Sequence, residues 1–221
     1  MIRSLAASAN HGPGRPRGVR SGVTRGRIVA AARSAFSELG YGATTFQSVA
    51  SRAALTRPAV NHYFASKQLL YRAVLEDAEA LVAQAVNEAL TRTDLVDQLS
   101  TFVLAVAQLE QDDRTVAAFV VTAVLDAERH PELRDLVEGT SVVTRDFLSG
   151  VLNAAIERGE LMTHVDVAAL SELLLAVLWG VGFYVAFVGD HQESAAVIAH
   201  VHLLLSNQLW ALRQPTPLVV E

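Results

Sequence analysis

Basic side chains are concentrated in the first third of the chain, and their chemistry is that of binding a polyanion. Residues 1 to 72 contain eleven Lys and Arg but a single acidic residue, Glu38, whereas the rest of the chain contains seven basic and twenty-two acidic residues. The net charge of −5 therefore combines a positive segment with a negative one. Such an asymmetry attracts a polyanion and orients the molecule on it. A solvated basic tail beside an acidic domain is the simpler alternative.

Residue patterns for enzymatic or metal chemistry are weak. No two of the seven histidines have the i, i+4 spacing of a helical zinc site, and His200 and His202 would point to different helix faces. Glu128, His130 and Glu132 could be drawn as ligands, but a solvated helix junction is the better interpretation. The sequence has no cysteine and no GxSxG, Walker or GxGxxG motif. We therefore expect no enzyme activity, no metal, no cofactor and a reducing cytoplasmic location.

Helical periodicity over most of the chain predicts an all-α fold. Residues 1–22 are rich in Gly, Pro, Ser and Arg, which predicts a flexible basic arm. The first helix should end at Gly40 and the fourth should run toward Leu90. The suitable N-caps of the first four helices are Thr24, Thr45, Thr56 and Ser66. Further helices are predicted at 94–109, 112–127, 131–158, 166–188 and 193–212.

The most apolar segment, residues 173–189, has two interpretations. Its seventeen uncharged residues would span about 26 Å as a helix, slightly less than the roughly 30 Å of a bilayer's hydrocarbon core. Neither end carries a flanking Lys or Arg. We therefore interpret the segment as a buried helix, with a membrane span as the alternative.

Residues 25–75 combine three helices, of which the second and third are short and joined by a tight turn at 54–56. This is helix-turn-helix geometry. The diagnostic pieces are AARSAFSELGYGATT, QSVASRAAL and PAVNHYFASKQLLYRAVL, in which an aromatic pair is followed by a capping serine, a lysine and two leucines. This segment of about fifty residues resembles the N-terminal DNA-binding domain of the TetR family of repressors. It departs from many relatives at Ala54, where they have glycine, and at Pro58.

The resemblance implies that residues 57–63 form a recognition helix in the major groove of DNA. Arg57 can offer a bidentate donor pair to guanine, Asn61 has the paired donor and acceptor that suit adenine, and Pro58 can contact a thymine methyl. The candidates for phosphate or sugar contacts are His62, Tyr63, Lys67 and Thr45. The arm residues Arg15, Arg17 and Arg20 could enter the minor groove or contact phosphates. For Tyr63, packing in the small core with Phe36 and Phe64 is the alternative.

The resemblance also implies a division into an arm at 1–22, a DNA-binding domain at 23–68, an effector-binding and dimerisation domain at 69–213 and a tail at 214–221. The last two helices should form a homodimer, because they are more apolar than a monomer surface allows. The dimer candidates are Leu173, Leu174, Val177, Leu178, Val181, Val197, Val201, Leu204 and Leu205, with small residues at Ala176, Gly180 and Gly182.

The ligand-cavity candidates are mostly apolar or aromatic: Phe102, Val106, Phe119, Thr122, Phe147, Trp179, Phe183 and Tyr184. Such a cavity would suit a lipophilic ligand, although each residue has an ordinary core role as its alternative. The expected protein is a homodimeric repressor, cytoplasmic and nucleoid-associated when bound, that such a ligand releases from a palindromic operator. A non-specific or effector-independent DNA-binding dimer is the second hypothesis. A helical enzyme or membrane-associated protein is the third.

Overall fold

The computed structural model describes residues 17–112 and 115–209 and is all-helical there, as the sequence predicts. Arg15 and the predicted tail lie outside the described residues. The described α-helices are α1 Arg17–Ala43, α2 Phe46–Arg52, α3 Arg57–Tyr63, α4 Lys67–Ala89, α5 Leu95–Asp112, α6 Thr115–Arg129, α7 Arg134–Glu138, α8 Val142–Glu157, α9 Val167–Phe187 and α10 His191–Leu205. Short 3-10 turns at Pro131–Leu133 and Gly139–Ser141 flank α7.

The start of α1 differs from the prediction. Thr24 is not an N-cap, because the helix already begins at Arg17. Residues 17–22 are therefore helical and do not belong to a flexible arm. Once the nucleus of a helix exists, each further residue adds one hydrogen bond without a new nucleation cost. No proline interrupts the sequence between Pro16 and the body of α1.

Backbone capping sets the other ends of the N-terminal helices as predicted. Thr45, Thr56 and Ser66 each accept a hydrogen bond from the backbone N–H three residues later. α1 breaks its helical geometry at Gly40, which has φ 73° and ψ 170°. The positive φ favours glycine, and a Cβ at this position would make a tight contact of 3.2 Å with Oδ1 of Asp126.

One hydrophobic core joins the N-terminal helices to the rest of the protein. Phe36 of α1 and Tyr71 of α4 pack at 4.8 Å between ring centroids, and Phe119 of α6 lies 6.3 Å and 5.3 Å from them. α4 is continuous through the predicted domain boundary at residue 68. The N-terminal helices therefore pack directly on α6.

Two predictions for the C-terminal helices are wrong. Residues 131–158 do not form one helix, because two 3-10 turns and the short α7 precede α8, with a break at Gly139, a poor helix former. The last helix begins at His191, capped by Asp190, and ends at Leu205 instead of residue 212. Asn207 there adopts φ 55°, and the next N–H bonds back into the last turn.

Candidate nucleic-acid interface and internal cavity

The outer face of α3 carries the side chains best suited to reading bases. Thr56 caps the helix, and the fully buried Val60 fixes its inner face against the core. Arg57 and Asn61 are exposed and four residues apart, so they lie on one face, one turn from each other. The predicted contacts exposed on α3 are Arg57, Pro58, Asn61 and His62.

The turn before α3 keeps its geometry without glycine. Ala54 adopts φ 50°, a left-handed conformation that costs a residue with a Cβ about 1–2 kcal/mol. Arg27 of α1 donates from Nη2 to the carbonyl of Ala53 at 2.6 Å, and the Leu55 N–H donates to the carbonyl of Ala50 at 2.9 Å. The Arg27 bond holds the turn on α1, and the Leu55 bond holds it on α2.

Lys67 has partners inside the protein, where the sequence predicts a phosphate contact. Its Nζ donates to the carbonyls of Tyr41 at 2.6 Å and Gly42 at 3.2 Å and lies 4.3 Å from the Tyr41 ring centroid. Burial lowers the pKa of Lys67, against the opposing effect of nearby Asp126 and Glu132. Carbonyls at a helix end attract a cation much as a phosphate does, so sequence alone does not separate the two roles.

The other predicted backbone contacts divide between surface and core. Thr45 is exposed, and its hydroxyl accepts from the Ser48 N–H at 3.1 Å in a capping box at the start of α2. Tyr63 is half-buried against the N-terminal core, so its ring takes the alternative core position. Arg17 and Arg20 lie in the first turns of α1, but their side chains lie outside the described part.

Arg25 is a candidate contact that the sequence did not predict. Its guanidinium carbon lies 5.3 Å from the ring centroid of Phe64, which caps the end of α3, and the side chain is exposed. The contact joins residues 39 positions apart, so no local pattern could show it. Arg52, by contrast, donates to the Glu38 carboxylate from Nη2 at 2.6 Å and from Nη1 at 2.9 Å. These hydrogen bonds lower the pKa of the Glu38 carboxyl.

A cavity of about 150 Å³ lies within the C-terminal part, between α4, α5, α6, α8, α9 and α10. None of its nineteen described lining residues is Asp, Glu, Lys, Arg or His. Its polar side-chain groups are the hydroxyls of Ser141 and Thr144 and the indole N–H of Trp179. Over residues 17–112 and 115–209, no cluster of three or more metal-ligating side chains is present.

Three of the predicted cavity residues line it: Phe102, Val106 and Trp179. Five do not: Phe119, Thr122, Phe147, Phe183 and Tyr184. Phe119 is fully buried on the side of α6 that packs against α1. Thr122 follows the lining residue Val121, and the helical rotation of about 100° per residue takes it off the cavity face.

The other three residues, Phe147, Phe183 and Tyr184, were predicted to line the cavity because they are aromatic. Each of them lies elsewhere in the structure. Phe147 packs behind the lining residue Phe102, with 5.0 Å between ring centroids. Phe183 is half-exposed on the outer side of α9, 5.5 Å from Phe187. The ring of Tyr184 covers Gly189, where an added Cβ would meet its Cε1 at 2.5 Å.

Helix α6 connects the cavity with the helix-turn-helix. Its residues Val116, Ala117, Val120 and Val121 line the cavity, whereas its opposite face packs on α1. At its start, the Thr115 hydroxyl accepts from Nε of Arg33 at 3.1 Å, and the same guanidinium pairs with Asp77 of α4 at 2.5 Å. Near its end, the buried Asp126 accepts from the Tyr41 N–H at 2.8 Å. Both ends of α6 are thus hydrogen-bonded to α1.

Comparison with known proteins gives a consistent match. The family model described as bacterial regulatory proteins, tetR family, matches residues 28–74. The HTH-type transcriptional regulator UidR of Escherichia coli K12 is 27% identical over 159 residues, which cover 72% of this chain and 79% of UidR.

Solved structures extend the likeness to the C-terminal helices. The TetR family transcriptional regulator PfmR from Thermus thermophilus is 25% identical, with a TM-score of 0.67 over 84% of this chain and 100% of that chain. The transcriptional regulator FadR from Bacillus subtilis, solved in complex with stearoyl-CoA, shares the fold at 18% identity and a TM-score of 0.69, covering 82% of this chain and 97% of that chain.

Proposed function

The chain belongs to the tetR family of DNA-binding transcriptional regulators, and from this premise we propose that it is a homodimeric repressor that a small, largely apolar ligand releases from a palindromic operator. The observation that carries the proposal is the exposed pair Arg57 and Asn61 on α3, held by the Thr56 cap and the buried Val60. A guanidinium and an amide one turn apart can each make a bidentate contact with a base edge.

The dimer surface in this proposal is α9 with α10. Only 17% of the most apolar window of α9 is buried within one chain, although its mean hydropathy is 1.9. Its exposed residues recur at helical spacing and form a stripe: Leu173, Ala176, Val177, Gly180, Phe183 and Phe187. A second copy related by a two-fold axis would cover this stripe and present two α3 helices to the two half-sites of a palindrome.

The apolar stripe also leaves the membrane alternative to be tested. By length and composition, α9 is the single helix among the described residues that could cross a bilayer. A cytoplasmic dimer predicts that the protein is purified without detergent as a species of twice the chain mass. Recovery from the membrane fraction alone would contradict the proposal.

The release of DNA by the ligand is proposed to act through α6. A ligand that fills the cavity pushes on Val120 and Val121, while the two ends of α6 are hydrogen-bonded to α1 through Thr115 and Asp126. A displacement of α6 would then turn α1 and α3 and change the spacing of the two heads in the dimer. The ligand can shift this equilibrium only because it binds the two geometries with different affinity.

Asp126 makes this connection sensitive to pH in a defined direction. Burial raises the pKa of Asp126 above its ordinary value, against the Tyr41 N–H and the nearby His130 and Arg129, which lower it. The Asp126 carboxylate therefore binds a proton more tightly in the folded state than in the unfolded chain. The free energy of unfolding consequently increases as the pH falls through the folded pKa of Asp126 toward the ordinary value of 3.8.

Replacing Asp126 with asparagine removes this contribution. We expect wild type to gain stability relative to Asp126→Asn when urea unfolding is compared at about pH 7 and about pH 4. The exposed Asp146→Asn on α8 is the matched control. A stability difference that stays constant with pH, or that grows in favour of the variant in acid, would contradict the assignment.

A variant of Lys67 can distinguish its bonds to the Tyr41 and Gly42 carbonyls from the predicted phosphate contact. If the ammonium mainly closes the end of α1, Lys67→Met should lower the midpoint of thermal unfolding and leave the salt dependence of DNA binding unchanged. A phosphate contact would instead lower the slope of log affinity against log salt by about one. The exposed Arg25→Met is the comparison, because its loss is expected to reduce that slope.

The first experiment is selection of bound fragments from a random DNA pool at physiological salt. Recovery of a palindrome supports a specific dimeric regulator and supplies the operator for ligand screening. Binding without enrichment would contradict the proposal and favour the non-specific DNA-binding dimer, because phosphate contacts alone carry little sequence preference.

A further inference from the structure

The electrostatics of the cavity wall define the charge of its ligand. The described lining residues contain no ionisable side chain. Among the described residues, Arg145 approaches this wall from outside, because its Nη1 lies 3.5 Å from the Ser141 hydroxyl, but Nε of the same guanidinium is 2.5 Å from Glu172. A carboxylate or phosphate on this wall would lose its hydration without gaining an unpaired cation.

The volume of the cavity indicates the size of the group that it can enclose. Its volume is about 150 Å³, which equals that of an engineered apolar cavity, in another protein, that binds benzene. Phe102 and Trp179 provide aromatic surfaces on this wall, against which a ring can pack edge to face or offset. The wall therefore suits a single ring better than a long chain.

The hydroxyl groups of the wall are placed together at the start of α8. Ser141 precedes the helix and makes no side-chain capping bond to it, and Thr144 lies one turn later. The other described lining residues are aliphatic or aromatic apart from the indole N–H of Trp179. A ligand in this cavity can thus satisfy one hydrogen-bonding group at the α8 end and buries apolar surface elsewhere.

We propose that the effector is an uncharged single-ring aromatic compound of about benzene size that carries one hydroxyl or carbonyl group, bonded by Ser141 or Thr144. This inference rests on the proposed ligand-responsive function and names the ligand class of that same cavity. The ligand of the FadR structure, stearoyl-CoA, has phosphates, for which the described lining residues offer no cation, and a chain longer than a cavity of about 150 Å³ encloses.

Three probes of similar size separate charge from hydrogen bonding: p-cresol, toluene and benzoate. The chain has two tryptophans, so full-length Trp210→Phe reports through Trp179 alone. We expect saturable changes in Trp179 fluorescence with p-cresol, affinity about two- to tenfold weaker for toluene, and affinity at least about tenfold weaker for benzoate. Benzoate binding as tightly as p-cresol, or no saturable binding of either neutral probe, would overturn the inference.

Hydroxyl variants test the polar end of the cavity. Thr144→Val combined with Ser141→Ala should abolish the advantage of p-cresol over toluene while leaving toluene affinity unchanged. Thr122→Val is the matched control, because this half-buried threonine does not line the cavity. An unchanged ratio of the two affinities in the double variant would refute the role of the hydroxyls.

DNA release is measured separately, so that the two proposals can fail independently. Binding of p-cresol without release of the selected DNA would support the ligand class and contradict the proposed release. Release by a charged compound that leaves Trp179 fluorescence unchanged would contradict the ligand class and leave the ligand-responsive repressor standing.

Discussion

Replacing Phe183 with arginine is expected to convert the protein into a monomer and to weaken binding to a palindromic operator by about 100-fold or more. Phe183 is 49% exposed in one chain and lies in the middle of the α9 stripe, between Val177 and Phe187. In a two-fold dimer its ring would be buried in both copies, and an arginine there would place two unpaired cations in an apolar interface. Loss of the dimer removes the second half-site contact, which otherwise acts at high effective concentration.

The matched control for this variant is Met162→Arg. Met162 is 93% exposed in the loop before α9, so it tests the effect of a new surface charge without changing the stripe. Sedimentation velocity and binding to the selected operator should separate the two variants. A Phe183→Arg protein that remains dimeric and binds normally would show that the dimer uses another surface.

Phe183 also shows what the sequence could and could not predict. The apolar, small-residue pattern of 173–189 correctly predicts a helix, but the burial that it predicts is not found within one chain, where only 17% of the apolar window is buried. Local caps such as Thr45 and Thr56 set the starts of α2 and α3. An aromatic residue on a helix that is apolar all round can face a cavity or a partner equally well, because no polar face fixes the rotation of the helix. In the structure, the rotation of α9 places Phe183 on the outer stripe and not in the predicted cavity.

The connection between the two predicted domains shows a second limit. Asp126 and Tyr41 are 85 residues apart, and their hydrogen bond depends on how α6 docks on α1. Propensity and periodicity describe each helix separately, so they predict that α1 and α6 exist but not which faces meet. For the same reason Lys67 is predicted to contact phosphate, although its nearest partners are the carbonyls that end α1.

Asn61→Ala is expected to reduce affinity for the selected operator by about 1–3 kcal/mol, or about 5- to 150-fold, and to relax preference at one base pair in each half-site. Asn61 is exposed on α3, so its removal leaves the helix cap and the core intact. Its amide is suited to the paired donor and acceptor of adenine, whereas Arg57, one turn earlier, is suited to guanine. The two residues should therefore govern different base pairs.

The measurement is a binding series in which each operator position is changed in turn, for wild type, Asn61→Ala and Arg57→Ala. Ser51→Ala is a suitable control, because Ser51 is exposed on α2 and was not predicted to contact DNA. Each variant should lose discrimination at its own position and keep it elsewhere, since a lost base contact affects only sequences that offered that contact. If both variants weaken every sequence equally, these side chains contact the DNA backbone, and the bases are read by other residues or through DNA shape.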